Sequence, residues 1–233
     1  MISKEKGAVC ITGASRGLGR AMVLAFLENT ETEVVAVTRN REVWQDVSDR
    51  YGRRLRVVCG DICTEAGRSA VFDAVAGGAP LSVLIHNAGA LAFQPFDKTG
   101  EATLKAVYEV NVFAPYLLTQ KLVPLMRGTH VISISSIGGV QGSLKFAGLS
   151  AYSSSKAALN CLTEMWAEEY KDTDITFNCL ALGSVETDMF REAFPGARAA
   201  CTPVNMARYI AEFAFSAPSV MRGKIISLSL GNP

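Results

Sequence analysis

Short apolar runs rich in β-branched residues alternate along this chain with longer segments of helical period, and that alternation restricts the fold more than any other feature. The candidate strands are Ala8–Thr12, Glu33–Thr38, Leu55–Cys59, Ser82–His86, His130–Ser135, Ile175–Leu180 and Lys224–Ser229. Most are apolar nearly throughout, as strands covered on both faces must be. After the first of them, Leu18, Ala21, Met22, Ala25 and Phe26 form the i, i+3, i+4, i+7 stripe of a helix with one buried side. Glu65–Val75, Glu101–Met126, Ala151–Tyr170 and Asn205–Phe215 also read as helices. This repetition predicts an α/β fold with a parallel sheet, right-handed crossovers and helices on both faces. No repeat, low-complexity tract or Pro/Gly/Ser linker interrupts it, so residues 1–233 are expected to form a single domain.

Bulk properties narrow the function. The chain has 23 basic against 22 acidic residues, a balance that argues against a nucleic-acid surface or a polybasic membrane patch. Its longest apolar runs are strand-sized, far below the ~20 residues of a spanning helix. The opening Met1–Gly7 leads into a five-residue apolar run too short for a secretion signal, so a cytoplasmic location is expected. The six cysteines include no Cys-x-x-Cys pair, and four lie in strand-like or helix-like segments. Small buried hydrophobes in a reducing cytosol account for them better than a metal or redox site. With only His86 and His130 as imidazole ligands, no metal site is expected.

Thr12-Gly13-Ala14-Ser15-Arg16-Gly17-Leu18-Gly19 joins the first strand to the first helix. Gly13 permits the tight turn, Gly17 lets backbone approach a pyrophosphate, and Gly19 allows close helix packing. The helix N-terminus beyond offers free N–H groups and a positive dipole end. Val37-Thr38-Arg39-Asn40-Arg41 ends the second strand without the carboxylate that would bind a ribose 2′-hydroxyl. Arg39, with Arg16 from the turn, suits a 2′-phosphate instead, which predicts NADP(H) over NAD(H). Solvated surface charge is the other reading of Arg39 and Arg41. Asp61, after the third strand, is either an acceptor for an adenine amino group or a loop cap.

Tyr152-Ser153-Ser154-Ser155-Lys156 places a phenol and an ammonium four residues apart, on one helix face. A free tyrosine titrates near ~10, and a neighbouring cation is expected to lower that value towards the range of a general acid. Ser136, at the end of the fifth strand, is positioned to hold a carbonyl oxygen, because ligands of open α/β sheets sit at strand C-terminal ends. A hydride carrier beside a proton donor predicts an oxidoreductase.

Together with His86-Asn87-Ala88-Gly89, Asn111 and Ser135-Ser136, these motifs make the chain resemble the single-domain short-chain dehydrogenase/reductases over essentially its full length. The resemblance implies a doubly wound, Rossmann-type three-layer fold with a seven-stranded parallel sheet in the order 3-2-1-4-5-6-7. It implies that Ser136, Tyr152 and Lys156 are catalytic, that Lys156 also holds the nicotinamide ribose, and that Asn111 anchors a water in a proton relay. It assigns the cofactor to the glycine turn, Ser15 and Leu18 included, and to Arg39, Asp61, Ile62, Asn87, Ala88, Gly89, Gly183, Val185 and Thr187. Homodimers or homotetramers are implied as well.

Two departures stand out. Leu182-Gly183 replaces the family's usual Pro-Gly, freeing an N–H near the nicotinamide amide. The substrate loop, about residues 184–203, is short for the family and the chain ends just after its last strand, which implies a thin lid over an open pocket. Met189, Phe190, Phe194, Phe93, Phe96, Leu144 and Phe146 are expected to line it. The reading is an NADP(H)-dependent carbonyl reductase or alcohol dehydrogenase acting on a small or medium apolar ketone, aldehyde or alcohol. Its alternatives are an acyl-carrier-linked 3-oxoacyl reductase, disfavoured by the acidic cluster Glu164, Glu168, Glu169, Asp172 and Asp174, and a non-catalytic NADP(H) sensor or scaffold.

Overall fold

The computed structural model describes residues 7–230. The reading of the first residues as too short for a secretion signal therefore falls largely outside them. Seven parallel strands form one sheet: β1 (Ala8–Thr12), β2 (Glu33–Thr38), β3 (Leu55–Cys59), β4 (Leu81–His86), β5 (Met126–Ser136), β6 (Thr176–Leu182) and β7 (Ile225–Leu228). Their spatial order is β3-β2-β1-β4-β5-β6-β7. The sheet is thus wound in both directions from the β1/β4 boundary, where such folds open a crevice at the strand C-terminal ends. Register brings Thr12 beside Val37, and Ser136 beside Leu182, so the functional ends of the central strands lie along one edge.

Helices cover both faces. On one side α1 (Gly17–Asn29) and α8 (Pro203–Ser216) share a core with Trp44, Met22, Phe26 and Ile210. On the other, α3 (Glu65–Ala76), α5 (Ala114–Leu122) and α6 (Ser150–Glu169) pack Val71, Leu118 and Trp166 against Leu84, Val131 and Phe177. Burial of both faces explains why the strands carry no polar alternation.

Three helical details depart from the sequence expectation. Glu101–Met126 is not one helix: α4 (Glu101–Tyr108) passes through a single π-turn, Glu109–Phe113, into α5, and Met126 already belongs to β5. Ala114 N–H reaches Glu109 C=O, five residues back, where the wider turn begins. Two short helices were not anticipated, α2 (Gln45–Tyr51) and α7 (Asp188–Ala193).

The cysteine expectation needs correction too. Cys10 and Cys179 are buried, but Cys59 and Cys161 are exposed and Cys63 and Cys201 partly so, because the first pair faces the core and the others lie at strand ends, on loops or on a helix's outer side. All six are free thiols. Both histidines are buried and stay neutral, burial holding His86 down to about 3 and His130 to about 4. Among the described residues no helix is long and apolar enough to cross a membrane, and no three His, Cys, Asp or Glu side chains gather as metal ligands would.

Candidate active site

A cleft of about 420 Å³ runs along the C-terminal edge of the sheet. At one end is the glycine turn. Gly13 (φ +67°) and Gly17 (φ +53°) adopt left-handed backbone that favours glycine. A β-carbon at Gly13 would lie 2.7 Å from Ala88 Cα, and one at Gly19 would strike Gly13 C=O and the Asn87 amide. One at Gly17 would meet only the Thr187 methyl, at 3.4 Å, so the turn is open towards the cleft there.

Asn87 closes the turn from behind. Its Nδ2 donates to Thr12 C=O at 2.9 Å and to Gly13 C=O at 3.2 Å, while Asn87 and Ala88 N–H both donate to Thr12 Oγ1 at 3.1 Å. These bonds weld β1 to β4 at the point where the sheet changes direction. Arg16 is the N-cap of α1, yet its side chain makes no capping bond and the first turn holds no acidic residue. The first N–H groups of α1 are therefore free for an anion.

Beyond the glycine turn the cleft is lined by Arg39, Asp61 and Ile62. Arg41 does not; it faces a separate surface hollow with Glu33, Arg53 and Arg56. Asp61 does act as a loop cap, one carboxylate oxygen accepting from Cys63 N–H at 2.9 Å.

At the other end Ser136, Tyr152 and Lys156 converge on the cleft. Their placement comes from how α6 lies on β5. Ser135 Oγ donates to Lys156 C=O at 3.2 Å, and Thr163 Oγ1 to Ser133 Oγ at 2.9 Å. Gly139 lets the loop after β5 pass so close that a β-carbon there would lie 2.7 Å from the Lys156 carbonyl carbon. Lys156 Nζ donates to Ile134 C=O at 2.9 Å. Burial holds this ammonium down to about 8, against the counter-pull of Cys179.

Here the structure corrects the electrostatic expectation for Tyr152. Its phenol lies above, not below, the ordinary tyrosine value: burial raises it, and the hydrogen bond with Ser136 only partly opposes this. Lys156 Nζ sits 5.9 Å from the ring centre, over the face of the ring. It flanks the phenol without taking over its proton.

Asn111 is fully buried in the π-turn and lies behind the cleft rather than on its wall. Its Oδ1 accepts from Ala90 N–H at 2.8 Å, and its Nδ2 donates to Ala90 C=O and to Ser155 Oγ, both at 2.9 Å. The amide is therefore committed to holding the loop after β4 against α6. Gly183, Val185 and Thr187 line the cleft on the β6 side. Leu182 simply extends β6 in register with Leu228, and Gly183 N–H donates to Leu228 C=O at 2.8 Å.

The segment expected to form the lid holds α7, which borders the cleft and whose N-cap Thr187 accepts from Phe190 N–H at 3.2 Å. Phe194 meets Phe146 of the opposite loop edge to face, centroids 5.1 Å apart, and Phe190 lies 5.4 Å from Phe194. These rings and Met189 line the cleft as expected; Phe93, Phe96 and Leu144 do not and stand exposed. Leu149, Ser153 and Asp188 also line it and escaped the sequence reading. The signal for Asp188 was its place after a Thr N-cap, opening a helix.

The family model for short chain dehydrogenase matches residues 7–198. The chain belongs to that family. It is 30% identical over 210 residues to L-xylo-3-hexulose reductase of Hypocrea jecorina, covering 79% of this chain and 68% of that one. The 3-oxoacyl-[acyl-carrier-protein] reductase FabG of Thermotoga maritima is 27% identical and spans 97% of this chain and 98% of its own. A solved short chain dehydrogenase from Salmonella enterica serovar Typhi superposes with a TM-score of 0.85 at 27% identity, covering 96% of each chain. The chain is accordingly an oxidoreductase of carbonyl and CH–OH groups. A nicotinamide nucleotide fits the residues present: a β-carbon at Gly13 or Gly19 would clash, the α1 amides are free, and the cleft reaches from Arg39 to Tyr152.

Proposed function

We propose that this dehydrogenase is an NADP(H)-dependent carbonyl reductase, reversible to an alcohol dehydrogenase, for a small or medium apolar ketone or aldehyde. The observation that carries the reading is the convergence of Ser136, Tyr152 and Lys156 at the end of a cleft that begins at the glycine turn. When bound, the nicotinamide supplies the hydride for reduction or accepts it in reverse. Gly13 to Gly19 hold the pyrophosphate, Arg16 and Arg39 the 2′-phosphate, and Val185 and Thr187 the carboxamide. The Ser136 hydroxyl fixes the substrate oxygen. Tyr152, whose phenol burial holds above the ordinary tyrosine value, donates its phenolic proton to that oxygen as the carbonyl carbon is reduced. Lys156 supplies positive charge beside the phenolate that remains, and binds ribose.

Asn111 serves the relay as an anchor behind the cleft, its amide held by Ala90 and Ser155. The substrate end is walled by Phe146, Phe190 and Phe194, which favours apolar carbonyl compounds over charged ones. The apolar residues Phe113, Tyr116, Leu117 and Met165, exposed on the π-turn, α5 and α6, suit burial against a second copy of the chain. Six free thiols are in keeping with a reducing cytoplasm.

The test is a screen of aryl and alkyl ketones with NADPH, on wild type and on Tyr152→Phe. Turnover lost in the variant supports the assignment. Turnover that survives it sinks Tyr152 as the donor, and binding without turnover of any carbonyl favours a sensor.

A further inference from the structure

The guanidinium of Arg16 already has a partner. Its Nη1 lies 3.5 Å from Asp188 Oδ2, across the mouth of the cleft, linking the glycine turn to the first residue of α7. The pair is exposed, 72% at Arg16 and 54% at Asp188, so neither side chain is locked by burial. Asp188 has a second, closer partner on its own helix: Arg191 Nη2 donates to Asp188 Oδ1 at 2.6 Å, while Arg191 Nη1 donates to Glu186 Oε1 at 2.7 Å. Beneath these charges the Thr187 methyl faces the open side of Gly17.

One guanidinium edge cannot serve two anions at full strength. A dianionic phosphate arriving between Arg16 and Arg39 draws Arg16 from the carboxylate, and Arg191 keeps Asp188 neutralised when it leaves. The exchange breaks only the longer, solvent-screened half of the Asp188 network.

We propose that Asp188 is a specificity-determining residue for the nucleotide: it competes with the 2′-phosphate for Arg16 and so weakens binding of the phosphorylated cofactor while leaving the unphosphorylated one alone. This rests on the NADP(H) reading. The same exchange releases α7 from the glycine turn, so the lid is tethered in the free protein and with NAD(H), and untethered with NADP(H).

Calorimetry with adenosine 2′,5′-bisphosphate and adenosine 5′-monophosphate tests this without nicotinamide or substrate. The measured quantity is the ratio of their affinities. Asp188→Asn should raise the ratio about two- to fivefold, the span of one exposed ion pair. Arg191→Ala, which leaves Asp188 with Arg16 as its nearest cation, should lower it. In an Arg16→Ala background, Asp188→Asn should change nothing. A ratio unmoved by Asp188→Asn, in a wild type that prefers the bisphosphate, overturns the competition and leaves the NADP(H) reading standing. A rise that persists without Arg16 assigns the effect to the general field and also overturns it. A wild type with no preference for the bisphosphate removes the NADP(H) reading, and the competition with it.

Discussion

Lys156 Nζ stands over the Tyr152 ring, 5.9 Å from its centre, and gives its hydrogen bond to Ile134 C=O rather than to the phenol. The two groups are four residues apart on α6, but their proton affinities are set separately, each mainly by burial. That separation shapes the pH behaviour.

With the ammonium held down to about 8 and the phenol above its ordinary value, the first group to lose its proton on raising pH is Lys156. The rate of carbonyl reduction, as kcat/KM, should fall above pH about 8, and Lys156→Met should be slow and lack that limb. Stability carries the opposite sign. Between about 8 and the ordinary lysine value near ~10.4 the unfolded chain binds a proton that the folded one does not, so this group makes unfolding harder as pH rises through that window. Below it, the full cost of burying the charge is present. Urea titrations at pH 7 and 9.5, on wild type and Lys156→Met, measure the difference.

Arg39 lines the cleft with its side chain exposed. Arg39→Ala should weaken NADPH about 10- to 100-fold, the worth of one charge-assisted hydrogen-bond set at roughly 1.5–3 kcal/mol, and leave NADH within about twofold. Nicotinamide fluorescence titration reads both. Equal losses for the two nucleotides would remove Arg39 as the phosphate reader.

Gly19→Ala pushes a methyl into Gly13 C=O and the Asn87 amide. The expected cost is about 2–3 kcal/mol, as for overpacking a rigid site, with loss of nucleotide binding. Gly17→Ala meets no comparable clash; its penalty should be the about 1–2 kcal/mol of placing a β-carbon in left-handed backbone. Denaturation midpoints for the two variants should rank in that order.

Ser136→Ala removes the hydroxyl that bonds Tyr152 and accepts from Gly138 N–H at 3.2 Å. Turnover should fall about 10²-fold or more, with NADPH affinity unchanged. The Tyr152 phenol should also titrate higher, since the one influence lowering it is gone; ultraviolet difference titration would follow it.

The sheet was legible because both-face burial writes unbroken apolar strands, and β1, β2 and β3 run over the expected residues. The glycine turn and the Ser136, Tyr152 and Lys156 set were legible because each imposes a residue type at a fixed spacing. Other features had weaker signatures. A π-turn keeps enough apolar period to pass for continuous helix, and the clue at 109–113 was Pro115 inside an otherwise helical run. Six-residue α7 is too short for its period to register, and only its Thr cap marks it. The partners of Arg16 and Asn111 depend on which segments fold together, which no local pattern encodes.

Asn87 has a consequence for how the molecule is made. The bonds that finish the glycine turn join residues 75 apart, Asn87 to Thr12, and Gly13 packs against Ala88. On the ribosome, β1, α1 and β2 emerge before β4, so the nascent segment carries the glycine motif without the brace that shapes it. Nucleotide capture then waits until β4 has been synthesised and has inserted beside β1, so a ligand can help stabilise the fold only after that strand is in place.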